Sequence, residues 1–242
     1  MILNAKRRSF DPTRTTLLRR RFVADARARI RVLQRDGITS PTAIRRIISG
    51  TERQWAQYST TAYRKGVEEA WRLARRNLPP DEFGILQRDF LKQMAGTIAK
   101  QGRALAKRIQ SEMEGVAQTT ATRVARALAD ARAKELSKAA TQQAIREALE
   151  YGYNAMVRVA HTELTRSYAD GQLSAYEDLG MDYLEIEVEW KTSGLGVTEK
   201  GNPSPCPKCK PFEGRVFKLK KAKGMIPFHP FCMCRFVPVF RL

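Results

Sequence analysis

No cysteine occurs in the first 205 residues of this 242-residue chain, and all four that it has lie between Cys206 and Cys234. Histidine is almost as scarce, with only His161 and His229. So little imidazole leaves poor material for a multi-histidine catalytic centre, and no catalytic residue is expected. Proline is missing between Pro80 and Pro203, so no residue of that kind breaks a helix there. No apolar run approaches the ~20 residues that span a bilayer, and the N-terminal "MILNAKRRSFDP" lacks the apolar stretch of a secretion signal. The expectation is a chain made in a reducing cytosol, with no membrane partner and no small-molecule substrate. In such a compartment clustered thiols point to a metal and not to disulfides.

Acidic residues are outnumbered, with 44 Lys and Arg against 25 Asp and Glu, a net charge of +19. Soluble domains tend to stay within a magnitude of about 2–8, so the excess implies an acidic partner: nucleic acid, an acidic protein surface or anionic lipid. The charge is uneven. Residues 1–150 hold 31 basic and 15 acidic residues, a net +16, and residues 151–242 hold 13 and 10, a net +3.

The chain reads as mainly α with a small C-terminal α+β module. Residues 1–136 form a basic helical region: an arm over 1–10, then helices. Asp11-Pro12 is a cap followed by proline at the first helical position, and this helix is expected to run to about Asp36 and stop at Gly37. Ser40-Pro41 opens a second helix ending before Gly50. "TERQW" opens a third, carrying Trp55, Tyr58, Val67 and Trp71 and ended by Leu78-Pro79-Pro80. From Ile98 through Leu105, Ile109, Met113, Val116, Val124 and Leu128 to Ala131, apolar residues recur mainly at helical spacing. This stretch is expected to be either a rod or a helical hairpin folded near Gly115. Residues 137–242 form the second region: a break at Ser137, a helix over about 141–150, another over about 154–179, then strands. "YLEIEVEW" alternates with period two, Glu185, Glu187 and Glu189 on one face and Leu184, Ile186, Val188 and Trp190 on the other. "TSGLGVTEKGNPSP" reads as loop, and "GRVFKL" and "CRFVPVF" as short strands of an antiparallel sheet around the cysteines.

Cys206 and Cys209 form C-x2-C, and after 22 intervening residues Cys232 and Cys234 form C-x-C. One tight turn aims the first pair at one ion, and in a strand i and i+2 share a face. Two such pairs suit a tetrahedral Zn(II) of four thiolates. His229 either replaces one of them, Cys234 being the candidate, or packs beside the site as a hydrogen-bonding neighbour. Four protein ligands leave no open position, which makes the expected zinc structural. On the helix before the sheet, His161 and Glu163 point about 200° apart, so they do not share a ligand. Glu163 and Arg166 are spaced for an ion pair.

"HPFCMCRFVPV", "CPKCKPFEGRVF", "EVEW" and "VAHTELTRSYADGQLSAYEDLG", in their order along residues 137–242, resemble the phage head morphogenesis family, the minor head proteins similar to protein F of phage Mu. His161 stands where that family usually has Arg, and the loop before Cys206 is rich in Pro and Gly where an acidic residue is common. The resemblance implies a non-enzymatic protein present in few copies in the virion. It would associate with the portal and major capsid proteins at the capsid interior during assembly in the host cytoplasm, and contact packaged or ejected double-stranded DNA. The basic N-terminal region agrees with nonspecific, salt-sensitive phosphate contact, for which Arg19, Arg20, Arg21, Arg27 and Arg31 are the candidates. The same arginines also suit an acidic protein surface. The alternative is a zinc-containing nuclease or toxin acting on nucleic acid.

Overall fold

The computed structural model describes residues 13–77, 90–179, 187–192, 196–197, 203–204 and 206–239. The N-terminal arm, the Asp11-Pro12 cap, Leu78 to Pro80 and residues 183–186 of the expected strand lie outside them. The fold is mainly helical with a small C-terminal sheet, as the composition and periodicity imply.

Five helices lead. α1 spans Thr13–Arg35, α2 Pro41–Ser49, α3 Glu52–Asn77, α4 Phe90–Ala133 and α5 Lys138–Asp178. α1 and α2 stop at the expected glycines, Gly37 with φ 60° and Gly50 with φ 66°. α4 is one unbroken helix of 44 residues, some 66 Å long at ~1.5 Å per residue. There is no fold at Gly115, so the rod is the correct alternative. The chain reverses at 134–137 instead. Glu135 takes a left-handed φ of 47°, Leu136 N–H reaches back to Ala131 O at 2.9 Å, and Ser137 Oγ accepts from Ala140 N at 3.3 Å to start α5. These contacts satisfy the end groups that a helix leaves open.

α5 corrects the expectation of two helices. "YGY" at 151–153 does not end a turn. A Cβ at Gly152 would lie 2.6 Å from Thr120 Oγ1, so this glycine allows α4 to approach closely. α3 and α5 cross in the same way. A Cβ at Gly66 would meet Tyr168 O at 2.1 Å, and one at Gly171 would meet Tyr63 O at 2.2 Å. Two facing glycines bring the backbones together, and α3, α4 and α5 pack mutually as a bundle. The C-terminal half of α5 is buried nearly all round, from Glu163 to Tyr176, which is why no amphipathic stripe is visible there. Buried Glu163 is held by Arg108 of α4 at 2.5 Å and by Arg166 at 3.3 Å.

The sheet order is β4-β1-β5, with β1 Glu187–Lys191 central, β4 Val216–Lys218 and β5 Arg235–Val239. Both pairings are antiparallel, with Val188 opposite Phe217 and Pro238, and Trp190 opposite Phe236. Val188 and Trp190 are buried while Glu187 and Glu189 are only partly so, the predicted alternation. The stretch read as loop contains a further hairpin of two residues per strand, β2 Gly196–Val197 against β3 Pro203–Ser204. A short helix, α6 Leu219–Ala222, follows β4.

The sheet has no core of its own. Val188, Trp190, Phe236 and three cysteines share one apolar cluster with Tyr63, Val67, Leu173 and Tyr176 of α3 and α5. Gln172 Nε2 donates to Phe236 O at 3.2 Å in the buried interface, and Lys223 pairs with Glu177 at 2.7 Å. Positions 136 and 137, read as a boundary in the sequence, lie in the turn between α4 and α5, two helices that pack on each other.

Candidate metal centre

Each half of the candidate centre is a tight turn. In the first, Cys209 N–H and Lys210 N–H both bond to Cys206 O at 2.9 Å, and a single 3-10 turn, Lys210–Phe212, leads on toward β4. In the second, Cys232 N–H bonds to His229 O at 3.0 Å. Cys206/Cys209 and His229/Cys232 have the same x2 spacing and the same closing bond from residue i+3 to residue i. The second half is therefore H-x2-C, built like C-x2-C, and not C-x-C along a strand: β5 begins only at Arg235, after Cys234.

His229 points into the cluster. Its Nε2 lies 3.2 Å from Cys206 Sγ and 3.0 Å from Cys209 Sγ. Its Nδ1 lies 2.7 Å from Pro230 O, a contact that only Nδ1–H can make as donor. The proton on Nδ1 leaves the Nε2 lone pair facing the thiols, as a metal ligand requires. Cys209 Sγ lies 3.9 Å from Cys232 Sγ. Two donor sets result, Cys206–Cys209–His229 and Cys209–Cys232–Cys234, each with its atoms within 4.8 Å of one another. Around a tetrahedral zinc with bonds of ~2.3 Å to sulfur and ~2.0 Å to nitrogen, donors sit about 3.5–3.8 Å apart. The Cys/His cluster thus has the donor chemistry and the spacing to hold a structural zinc ion.

The thiols are unequal. A hydrogen bond from the Cys234 thiol holds Cys232 down at about 5, against the pull of burial. The same bond, with burial, pushes Cys234 upward. Burial pushes the Cys209 thiol up to about 12. Cys234 lies with Cys209 and Cys232 in the second donor set. The sequence signal for the second turn was present, since H-x2-C repeats C-x2-C, but reading C-x-C as a strand pair concealed it.

Of the five arginines expected to meet phosphate, Arg20, Arg21, Arg27 and Arg31 are exposed on α1. Arg27 also bonds to Tyr153 Oη at 3.1 Å. Arg19 is corrected: it is 5% exposed, because it shares the face of α1 that buries Leu18, Phe22 and Ala26 and packs toward α5. Its Nη2 donates to Thr165 Oγ1 at 2.8 Å. Burial pulls its guanidinium down to about 10, opposed by the negative charge of Cys232. His161 lies beside it, its ring 5.3 Å from that of Phe231, and burial together with the Arg19 charge lowers its pKa. His161 and Glu163 do not meet at one ligand, since Glu163 is tied to the two arginines.

Among the described residues no helix is long and apolar enough to cross a membrane. Comparison with known protein families, with curated proteins and with solved structures gave no match.

Proposed function

We propose that this chain is a non-enzymatic assembly protein whose metal-stapled sheet is a docking element and whose basic helices contact DNA without reading its sequence. In this reading it is a minor protein of a phage head, lying near the portal at the capsid interior. The order of motifs over residues 137–242 supports the phage assignment. The observation that carries the structural role of the metal is the pair of matching turns, which offer four protein donors: Cys206, Cys209, His229 and Cys232. When bound, zinc supplies a rigid crosslink and nothing more, since four protein ligands fill its tetrahedron.

The residues around the centre agree with that role. Trp190 stacks on Phe212 at 5.0 Å and meets Phe236 edge-on at 5.8 Å, so the crosslink fastens the turn and the strand to the buried face of β1. DNA contact falls on exposed cations of the helices. Arg21 of α1 and Lys100, Arg103 and Lys107 of α4 are exposed, and the last three repeat at i, i+3 and i+7 on one face. Contacts of this kind release counterions and weaken steeply with salt.

The test is copurification of the full chain with portal and major capsid proteins, together with mass-spectrometric detection at low copy in assembled particles. Absence from both sinks the head-protein reading. The nuclease or toxin alternative draws on the Cys/His cluster beside a basic body. Incubation of the full chain with duplex DNA and Mg(II) or Zn(II) separates the two: the proposal expects intact DNA, and turnover that disappears in His161→Ala would favour the nuclease.

A further inference from the structure

A groove of about 1000 Å³ runs along the outer face of α1 and ends against His161 and Met233, the residue between Cys232 and Cys234. Its floor is apolar and small-featured: Val23, Ala24, Ala28 and Val32. Its rim carries Arg20, Arg27 and Arg31, spaced by seven and four residues and so aligned on one face of the helix. Arg35 also borders it but is occupied by Asp36 at 2.6 Å.

At the inner end lies Arg19, with 5% of its surface exposed. Thr165 satisfies only Nη2. Among the described residues its Nε and Nη1 are buried without a hydrogen-bond partner, as is His161 Nδ1 beside them. Buried donors without acceptors are rare in native proteins, because each one forfeits its hydration. A guanidinium left so at the end of a groove rimmed by three arginines marks a place for an acceptor from outside.

The geometry points to a docking groove for an acidic amphipathic helix of a partner protein, its apolar stripe on Ala24 and Ala28 and its carboxylates on Arg19, Arg20, Arg27 and Arg31. From Thr16 to Arg35 the groove follows 20 residues of α1, roughly 30 Å of helix, which matches a partner helix laid alongside. Alanines let two helix backbones approach closely, and arginine is the cation best suited to carboxylates at an interface. Duplex DNA fits less well. Phosphates gain nothing from a floor of Val and Ala. A second copy of this chain is disfavoured by its charge of +19. The assignment is independent of DNA contact through α4.

The experiment uses the full-length chain and fluorescence anisotropy with three probes. These are a labelled peptide of about 20 residues with Glu on one face and Leu on the other, its sequence-scrambled counterpart, and a duplex of about 20 base pairs. Saturable binding of the patterned peptide is expected, tighter than the scrambled one by about tenfold or more. Arg31→Glu should weaken the peptide by about tenfold through the rim, and Ala28→Glu by a similar factor through the floor. Both positions are exposed, so these variants are expected to fold, and Ala28→Glu should leave the duplex within about twofold of wild type. Equal binding of scrambled and patterned peptides overturns the proposal. So does indifference of the peptide to both substitutions, or a parallel loss of duplex and peptide in Ala28→Glu. Failure of the duplex to bind would count against the DNA reading and leave this one standing.

Discussion

At His229 the two ring nitrogens have different tasks, and the difference is measurable. Nδ1–H is committed to Pro230 O and Nε2 faces two sulfurs. In the proposed site Cys206, Cys209, His229 and Cys232 are the donors, with Cys234 beside them. Elemental analysis of protein purified without added metal is expected to give about one zinc per chain for wild type and Cys234→Ser, and clearly less for His229→Ala and Cys206→Ser. Full zinc in His229→Ala with loss in Cys234→Ser would restore the four-cysteine site. His161 makes a second prediction. Its folded pKa is depressed below the ordinary 6.5 by burial, then by Arg19, so below that pH the unfolded chain binds the proton more readily. Its contribution is therefore intact above about pH 6.5 and is lost as pH falls through the window between the two values. Thermal midpoints measured down to about pH 5 should fall less steeply for His161→Gln than for wild type. Identical slopes would assign the acid sensitivity elsewhere.

Elements bring two further expectations. α3 and α5 cross at Gly66 and Gly171, where an added Cβ would lie just over 2 Å from a backbone oxygen of the other helix. Backbone cannot swing aside as a side-chain end can, so Gly171→Ala is expected to destabilise by at least about 1–3 kcal/mol, read from the urea midpoint. A midpoint equal to wild type would mean that the helices are further apart. Removal of metal acts on the sheet. Chelation is expected to lower the melting temperature and alter Trp190 fluorescence while most of the helical circular dichroism remains, because the bundle keeps its second apolar cluster around Phe22, Trp55, Ile109 and Leu164. Zinc in sites of this kind contributes on the order of 10–16 kcal/mol of apparent free energy, far more than a three-stranded sheet retains by itself. Helix loss in step with the sheet would show that the sheet and bundle melt as one unit.

Over the whole molecule the charge asymmetry is the feature with a solution readout. Affinity for duplex DNA is expected to fall linearly on a log–log plot against salt, with a slope of about −0.9 per phosphate neutralised. Replacing Lys100, Arg103 and Lys107 with Gln should reduce that slope by about 2–3. A slope untouched by the triple variant would place the contact on another face. The helical class, the first two helix ends, the alternation in β1 and the grouping of cysteines were all legible in the sequence, since each rests on neighbours a few residues apart. Three other features were not. Arg19 looked like its exposed neighbours because burial of one face of α1 depends on where α5 lies. Gly152 looked like a helix end because its reason is Thr120 on another helix. The likeness of H-x2-C to C-x2-C went unseen because the strand begins only after Cys234.

What the sequence by itself determined is therefore local: which stretches coil, which alternate, where helices stop, and that thiols and an imidazole gather near the C-terminus. These follow from backbone preference and side-chain periodicity, which act over a few residues. Tertiary structure alone decided which donors face one point, which arginine is withdrawn from water, and that α1 leaves a basic-rimmed groove open on its outer side. Those outcomes depend on the approach of segments as distant as Arg19 and Thr165, 146 positions apart. Burial and desolvation, not local propensity, assign each of these groups its role.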